Sequence, residues 1–254
     1  MPTPLAVSLA QVDRPVRSLL DVAATWQVDG VQLDTRQQVR PDEFGQTARR
    51  QLRHALDERR LSLASLVVPT RSPLADASRL DERIAAVLAA MPLAWELGCA
   101  SVTVRLGAWP GDEAGEERLR RVVAELAAAS DRLGPRLTLL PSPGSVAKLA
   151  ALVDAIEGPV AVQLDPAATV QGGESLDDAA RSLADAITHL RLRDAQQDTG
   201  ETVLGRGQVD WTLAAALSFE LPSLRWLVVD RTEGSQRSVD LQNGVAFARR
   251  VFTH

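Results

Sequence analysis

The sequence predicts one closed (β/α)8 barrel, a TIM barrel of the α/β class, taking up residues 1–254 as a single domain. Three observations carry this expectation. A length of 254 residues suits one such barrel and is long for two small domains. Short apolar runs alternate with longer amphipathic runs from end to end, the pattern that calls for a parallel sheet. The alternation repeats eight times at roughly thirty residues per unit, the size of a βα unit, and no linker or low-complexity tract interrupts it.

In chain order, the first strand is Leu5–Leu9 and the first helix spans about Val16–Val28. Gly30–Asp34 forms the second strand, followed by a polar helix rich in Arg and Gln over about Glu43–Arg59. The third strand, Leu61–Val68, stops at Pro69, which has no N–H to give a ladder. Beyond a loop rich in Ser, Pro and Asp, residues Ile84, Val87, Leu88, Met91 and Trp95 fall on one helical face, and Gly98 ends that helix. The fourth strand is Val102–Leu106, and the helix over about Glu116–Leu133 is broken by Gly134-Pro135. Leu137–Leu140 is the fifth strand, and Ser145 opens a short helix to about Ile156. After the sixth strand, Val160–Asp165, the run Ser175-Leu176-Asp177-Asp178 resembles a capping box with Asp in place of Glu. Its helix sets Leu176, Ala180, Leu183 and Ile187 on one face. The seventh strand, His189–Arg193, a helix from near Trp211, the eighth strand, Trp226–Asp230, and a helix over about Val239–Phe252 complete the series.

Composition narrows the function classes. An apolar fraction of 45% is ordinary for a globular core. A net charge of −5 argues against nucleic-acid binding, which rests on neutralising phosphates. The single cysteine, Cys99, excludes an intrachain disulfide and sits in an apolar junction, where it reads as a small core residue. Met1-Pro2-Thr3-Pro4 lacks the basic and apolar regions of a signal peptide. No apolar stretch reaches the ~18 residues that span a bilayer. The expectation is a cytoplasmic protein with no membrane partner.

In a (β/α)8 barrel, chemistry sits at the C-terminal ends of the strands and in the loops just beyond. The polar residues there are Gln32 and Asp34 on the second strand, Thr103 and Arg105 on the fourth, and Gln163 and Asp165 on the sixth. The seventh offers His189, Arg191, Arg193 and Asp194, and the eighth Asp230 and Arg231. Strand alternation puts His189, Arg191 and Arg193 on one face and Leu190 and Leu192 on the other. The apolar pair suits the outer helices, so the inward face is polar. A buried guanidinium keeps its charge and needs an acidic partner or an anionic ligand, which makes Arg191 a site candidate. Asp165 precedes Pro166 and equally suits a turn cap, and His189 equally suits a satisfied core histidine. Arg105 either lines the mouth or points to a helix, and Asp34 either joins the site or pairs with Arg36 or Arg105. Arg206, between Gly205 and Gly207, lies in a turn able to bring amides toward a ligand. Trp109 lies beyond the fourth strand, as a cover for a sugar face or as packing for its own loop.

These motifs in this order resemble the xylose-isomerase-like barrels known as sugar phosphate isomerases/epimerases, which include ketose 3-epimerases and endonuclease IV. His189–Asp194 is similar to the family's His-Val-His-Leu-Lys-Asp strand, and Leu204–Trp211 to its Gly-x-Gly-x-Val-Asp-Trp turn. Gly30–Leu33 is similar to its Gly-Val-Glu-Leu strand, and Leu93–Gly107 to its Ala-x-x-Leu-Gly-Ala helix end and following strand. The resemblance implies one divalent cation, Mn2+ or a similar ion, held by Glu, Asp, His and Glu at the ends of the fifth to eighth strands. The two Glu residues would also move the proton at the sugar carbon.

The corresponding residues here are Leu140, Asp165, Arg191 and Asp230, with Ala168 at a further His position and Gln32 at the second-strand Glu. An apolar Leu cannot ligate a cation, and an Arg repels one. Two carboxylates are too few for a tight catalytic site, so no bound cofactor or metal is expected. The resulting expectation is a barrel that binds a sugar, sugar acid or sugar phosphate without metal catalysis. Asp165, Asp230 and His189 are its candidate catalytic residues. Arg191, Arg105, Asp34, Gln32, Asp194, Arg231, Trp109 and Arg206 are its candidate ligand-binding residues. The alternative is an active isomerase or epimerase with an unusual site built on Asp165 and Asp230. An endonuclease is disfavoured, because a His- and Glu-rich metal cluster does not fit a chain with only His54, His189 and His254. The partner expected is a small carbohydrate or anion, with a homodimer possible.

Overall fold

The computed structural model describes residues 3–10 and 12–252; Met1, Pro2 and His254, which entered the sequence argument, lie outside the described residues. Its elements are β1 (Leu5–Ser8), α1 (Val16–Thr25), β2 (Gly30–Asp34), α2 (Gln46–Glu58), β3 (Ser62–Val68), α3 (Leu80–Glu96) and β4 (Ser101–Arg105). Then come α4 (Glu113–Leu133), β5 (Arg136–Leu140), α5 (Val146–Ala155), β6 (Val160–Leu164), α6 (Pro166–Gly172), α7 (Leu176–Ser182) and β7 (Ile187–Leu192). The last are β8 (Asp194–Gln196), β9 (Gly200–Thr202), α8 (Trp211–Glu220), β10 (Trp226–Val229) and α9 (Arg237–Phe252). Eight parallel strands close in the order β1-β10-β7-β6-β5-β4-β3-β2, and β8 and β9 form a separate antiparallel hairpin. Among the described residues, no helix is long and apolar enough to cross a membrane.

Both faces of the barrel wall are covered, so the strands are buried almost throughout. The outward faces meet apolar helix stripes such as Leu119, Val122, Val123 and Leu126 of α4. That helix starts where Asp112 accepts a hydrogen bond from the Gly115 N–H and ends at Gly134, whose φ of +96° suits glycine.

Three local expectations are corrected. Ile187 belongs to β7, because α7 ends at Ser182 after two turns. Trp95 does not share the buried face of α3: it is 67% exposed, and its ring stacks against Gly134. The hairpin of β8 and β9 and the short helix α6 were not foreseen, since each is a brief element inside what reads as a loop.

Two interruptions in strand register shape the barrel interior. Val31 pairs with Leu63 and Gln32 with Ser65, which leaves Ala64 as an extra residue in β3. Val162 pairs with Ile187 and Gln163 with His189, which leaves Thr188 as an extra residue in β7. Such bulges re-aim the side chains that follow and leave one residue outside the ladder. Both lie one step before the glutamines Gln32 and Gln163, which meet across the barrel, Nε2 to Oε1, at 3.2 Å. Beneath them Ala6, Ala64 and Val228 form a small buried cluster, closed below by Trp226.

Gly30 makes room for that plug. A Cβ there would stand 2.8 Å from the Ser62 carbonyl oxygen and 2.9 Å from the Trp226 ring. Backbone and a packed indole cannot both yield, so Gly30→Ala is expected to cost about 1–3 kcal/mol of stability, the usual range for overpacking. A denaturant titration of the purified variant checks it, and an unchanged midpoint would show that Trp226 does not fill the barrel floor.

Candidate functional site

The C-terminal mouth holds a cavity of about 180 Å3. Its polar lining includes Gln32, Thr103, Arg105, Gln163, Arg191 and Asp230, and Leu140 and Val67 supply an apolar wall. On β4 the lining residues Thr103 and Arg105 are two apart, as inward alternation requires. Its floor is a hydrogen-bonded layer: Gln32 to Gln163, and Ser65 with Thr103 at 2.5 Å between their hydroxyls. One pleat lower, the Ser101 and Thr138 hydroxyls lie 2.7 Å apart.

Arg191 stands at the centre of the acidic groups. It is 4% exposed. Its Nε donates to Asp230 Oδ2 at 2.7 Å and its Nη1 to Asp165 Oδ2 at 2.9 Å. Asp165 is 1% exposed and fully engaged. Its Oδ1 accepts from the N–H groups of Ala167 and Ala168 at the start of α6, and its Oδ2 also accepts from Arg193 Nε at 3.1 Å. Both sequence readings of Asp165, cap and site residue, therefore describe one side chain. Burial works against its charged form, but Arg193 and Arg191 outweigh burial and hold its carboxyl below the usual value. Burial likewise opposes the Arg191 charge, and Asp230 and then Asp165 overcome it, raising its pKa.

The ion pairing continues outward to Glu201 and Asp240, which the sequence did not single out. Arg193 Nη1 meets Glu201 Oε2 at 3.2 Å, and the Glu201 side chain is wholly buried under the hairpin of β8 and β9. Arg231 Nη1 reaches Glu201 Oε1 at 3.2 Å, and its Nε donates to Asp240 at 3.0 Å. The Thr232 hydroxyl and N–H also donate to Glu201. The Asp198-Thr199-Gly200 turn was the sequence signal for this hairpin.

Several expected site residues lie elsewhere. His189 faces inward but does not line the cavity. Its Nε2 lies 3.2 Å from the carbonyl oxygen of Ala64, the residue left outside the β3 ladder, and its Nδ1 lies 2.9 Å from the Thr188 hydroxyl. A carbonyl only accepts, so Nε2 carries the proton and Nδ1 accepts from Thr188. Burial holds the ring neutral, with its pKa down at about 4. His189 thus satisfies a bulge and has no free nitrogen for a ligand.

Asp194 is drawn away by the Gly-x-Gly turn. It accepts from the N–H groups of Gly205, Gly207 and Val209 and from Trp211 Nε1, at 2.9–3.2 Å. A Cβ at Gly207 would strike Asp194 at 2.0 Å, which accounts for that glycine. The turn's amides thus face a carboxylate of this chain and not a ligand. Arg206, between the glycines, is exposed away from the mouth. Asp34 accepts from the N–H groups of Arg36 and Gln37 and closes its own turn. Trp109 gives its Nε1–H to Glu116 and packs on its own side of the loop. Arg231 sits in the outer ion network, behind the mouth. Among the expected residues, the structure gathers Gln32, Arg105, Arg191 and Asp230 at the cavity, with Asp165 just behind Arg191. Among the described residues, no three His, Cys, Asp or Glu side chains group so as to hold a metal ion.

Two outcomes follow from this geometry. Arg191→Ala strands two buried carboxylates and is expected to cost about 3–5 kcal/mol, read as a lowered denaturant midpoint; melting like the wild type would contradict the pairing. His189 protonates near 6.5 when unfolded but only near 4 when folded. The unfolded chain therefore binds the extra proton between those values. Stability contributed by the neutral ring is complete above pH 6.5 and is lost as pH falls toward 4, by about 3 kcal/mol. His189→Gln, which keeps a donor for Ala64, should flatten the stability–pH curve in that window, and an unaltered curve would show that His189 is not the group responsible.

No curated protein sequence matches this chain. Solved structures do. A xylose isomerase domain protein from Planctomyces limnophilus superposes with a TM-score of 0.84 at 17% identity, covering 99% of each chain. D-psicose 3-epimerase from Clostridium cellulolyticum H10, solved with D-tagatose, gives 0.79 at 14% identity, over 98% of this chain and 99% of that one. The 3-keto-D-glucoside 4-epimerase from E. coli gives 0.80 at 13% identity, with the same coverage. At such identities these likenesses establish the fold. The family profile described as xylose isomerase-like TIM barrel matches residues 20–219, most of the sequence, and the chain belongs to that family.

Proposed function

We propose that this chain is a metal-free member of its family that binds a small carbohydrate or carbohydrate derivative in the barrel mouth. The observation that supports this most is the Arg191 guanidinium seated between Asp165 and Asp230. The family resemblance puts a cation's ligands at those strand ends, and here a fixed positive charge of the protein stands among them. Two close carboxylates need such compensation, and a guanidinium supplies it through directed hydrogen bonds.

The remaining positions support the same reading. Leu140 lines the cavity where the resemblance implies a Glu, and offers no lone pair. Gln32, at the second-strand Glu position, is tied to Gln163 and carries no charge. Proton transfer at a sugar carbon by paired carboxylates needs two that are free to exchange protons. Asp165 and Asp230 are instead both engaged by the Arg191 guanidinium. The polar floor and apolar wall suit the hydroxyl and C–H faces of a sugar, and D-psicose 3-epimerases of the same fold were solved in the presence of D-fructose and with D-tagatose. A cavity of about 180 Å3 suits a small ligand.

The purified protein, dialysed and analysed for elements, is expected to hold well under one Mn, Co or Zn per chain. It should not epimerise D-fructose or D-tagatose with Mn2+ added. Arg191→His, which restores a ligand, should lose less stability than Arg191→Ala and gain Mn2+ affinity by calorimetry. Near-stoichiometric metal in the wild type, or epimerisation restored by Mn2+, would replace this proposal with an active isomerase or epimerase built on Asp165 and Asp230.

A further inference from the structure

We infer that Arg105 is the anion-recognition residue of the mouth, so that the ligand is a small polyhydroxylated molecule bearing a carboxylate or a phosphate. This rests on the binding role proposed above and narrows it from carbohydrates in general to their acids and phosphate esters.

The charges around the mouth carry the argument. Asp165, Asp230 and Glu201 are each met by arginine: Arg191 and Arg193 on Asp165, Arg191 on Asp230, Arg193 and Arg231 on Glu201. Arg231 also holds Asp240. Three arginines thus contact all four of these carboxylates directly, and none of the four pairs with Arg105. Arg105 is a fourth arginine. It ends β4, one pleat above Thr103, and lines the cavity together with Arg191. Among the described residues, no carboxylate lies within ion-pair distance of it, and no hydrogen bond engages its guanidinium.

Arg191 and Arg193 act on Arg105 against Asp165 and Asp230, and the arginines act more strongly. Arg105 is exposed at the end of β4, so its guanidinium is open to an incoming ligand; partial enclosure, and then Arg191 and Arg193, press its pKa below the ordinary value, and an arginine still keeps its proton. An anion entering the mouth would relieve that repulsion, and the planar fork of a guanidinium matches a carboxylate or phosphate edge.

The surroundings agree with this assignment. The chain as a whole carries −5, yet the approach to this cavity is basic. A groove that shares Val68, Pro69 and Thr70 with the mouth is lined by Arg36, Arg71, Arg79 and Arg83 against the single acid Glu82, which Arg79 engages. A local field opposite in sign to the net charge draws small anions inward. Within the cavity, Ser8, Gln32, Thr103 and Gln163 supply neutral polar contacts for hydroxyl groups.

The test uses calorimetric titration of the full chain with paired probes: D-gluconate against D-glucitol, and D-glucose 6-phosphate against D-glucose, with inorganic phosphate alone. Wild type, Arg105→Gln and Arg105→Lys are compared, with thermal melts to confirm that each variant folds. The expected result is that one charged probe binds at least about tenfold more tightly than its neutral partner, the range of one charge-assisted hydrogen bond. Arg105→Gln should abolish that preference without lowering the melting temperature, Arg105→Lys should keep part of it, and added salt should weaken it. Which pair shows the preference decides between carboxylate and phosphate. Neutral and charged probes binding equally, or a preference that survives Arg105→Gln, would overturn this inference and leave the carbohydrate-binding proposal standing. If no probe binds, both fall.

Discussion

The bridge from Arg191 to Asp165 and Asp230 is the interaction on which the mouth of this barrel depends. Three strands, β6, β7 and β10, send a charged group to one point, and none of the three charges is accessible enough to rely on water. Taken alone, two buried carboxylates would repel and one would take up a proton. The guanidinium bonds to both carboxylates and fixes the relative positions of three strand ends. Asp165 couples this point to the backbone, because its other oxygen caps α6. Through Arg193 the same carboxylate reaches Glu201, so the hairpin beyond β7 is anchored by the charge balance of the mouth.

Beneath this charged layer the interior solves a different problem. Bulges at Ala64 and Thr188 put Ser65 and His189 opposite the glutamine pair and take two residues out of the ladder. His189 satisfies the Ala64 carbonyl, and Thr188 in turn satisfies His189. A histidine is suited to this, since a neutral ring gives one donor and one acceptor on opposite sides. The interior is thus layered, with an apolar plug at Trp226, a neutral hydrogen-bonded middle, and a charged rim. Only the upper surface of the middle layer and the rim meet the cavity.

Much of this was legible in the sequence, for reasons that differ from residue to residue. The barrel followed from eight repeats of strand and helix. The inward direction of Arg191 followed from the two-residue period of a strand, and its need for acids from the permanence of its charge. Asp165 and Asp230 were recognisable as strand-end acids. What stayed hidden depends on contacts between distant segments. Asp194 looks like a strand-end ligand until a turn eleven to seventeen residues later folds four donors onto it. His189 looks like a catalytic base until a bulge in β3, unmarked by Gly or Pro, presents a carbonyl that lacks a partner. Glu201 lies in a polar tract that reads as exposed loop, and only the approach of Arg193 and Arg231 makes its burial tolerable. Trp95 fits the helical period of α3 but falls at its edge, where the covering surface ends.

The central claim is that a fixed arginine, and not an exchangeable cation, compensates the acids of this barrel mouth. Diffraction from crystals soaked in MnCl2, with anomalous data at the manganese edge, tests it most directly. The account predicts no anomalous peak between Asp165 and Asp230, with density for the Arg191 guanidinium on both carboxylates. A manganese peak at that point, with Arg191 swung clear of it, would contradict the account.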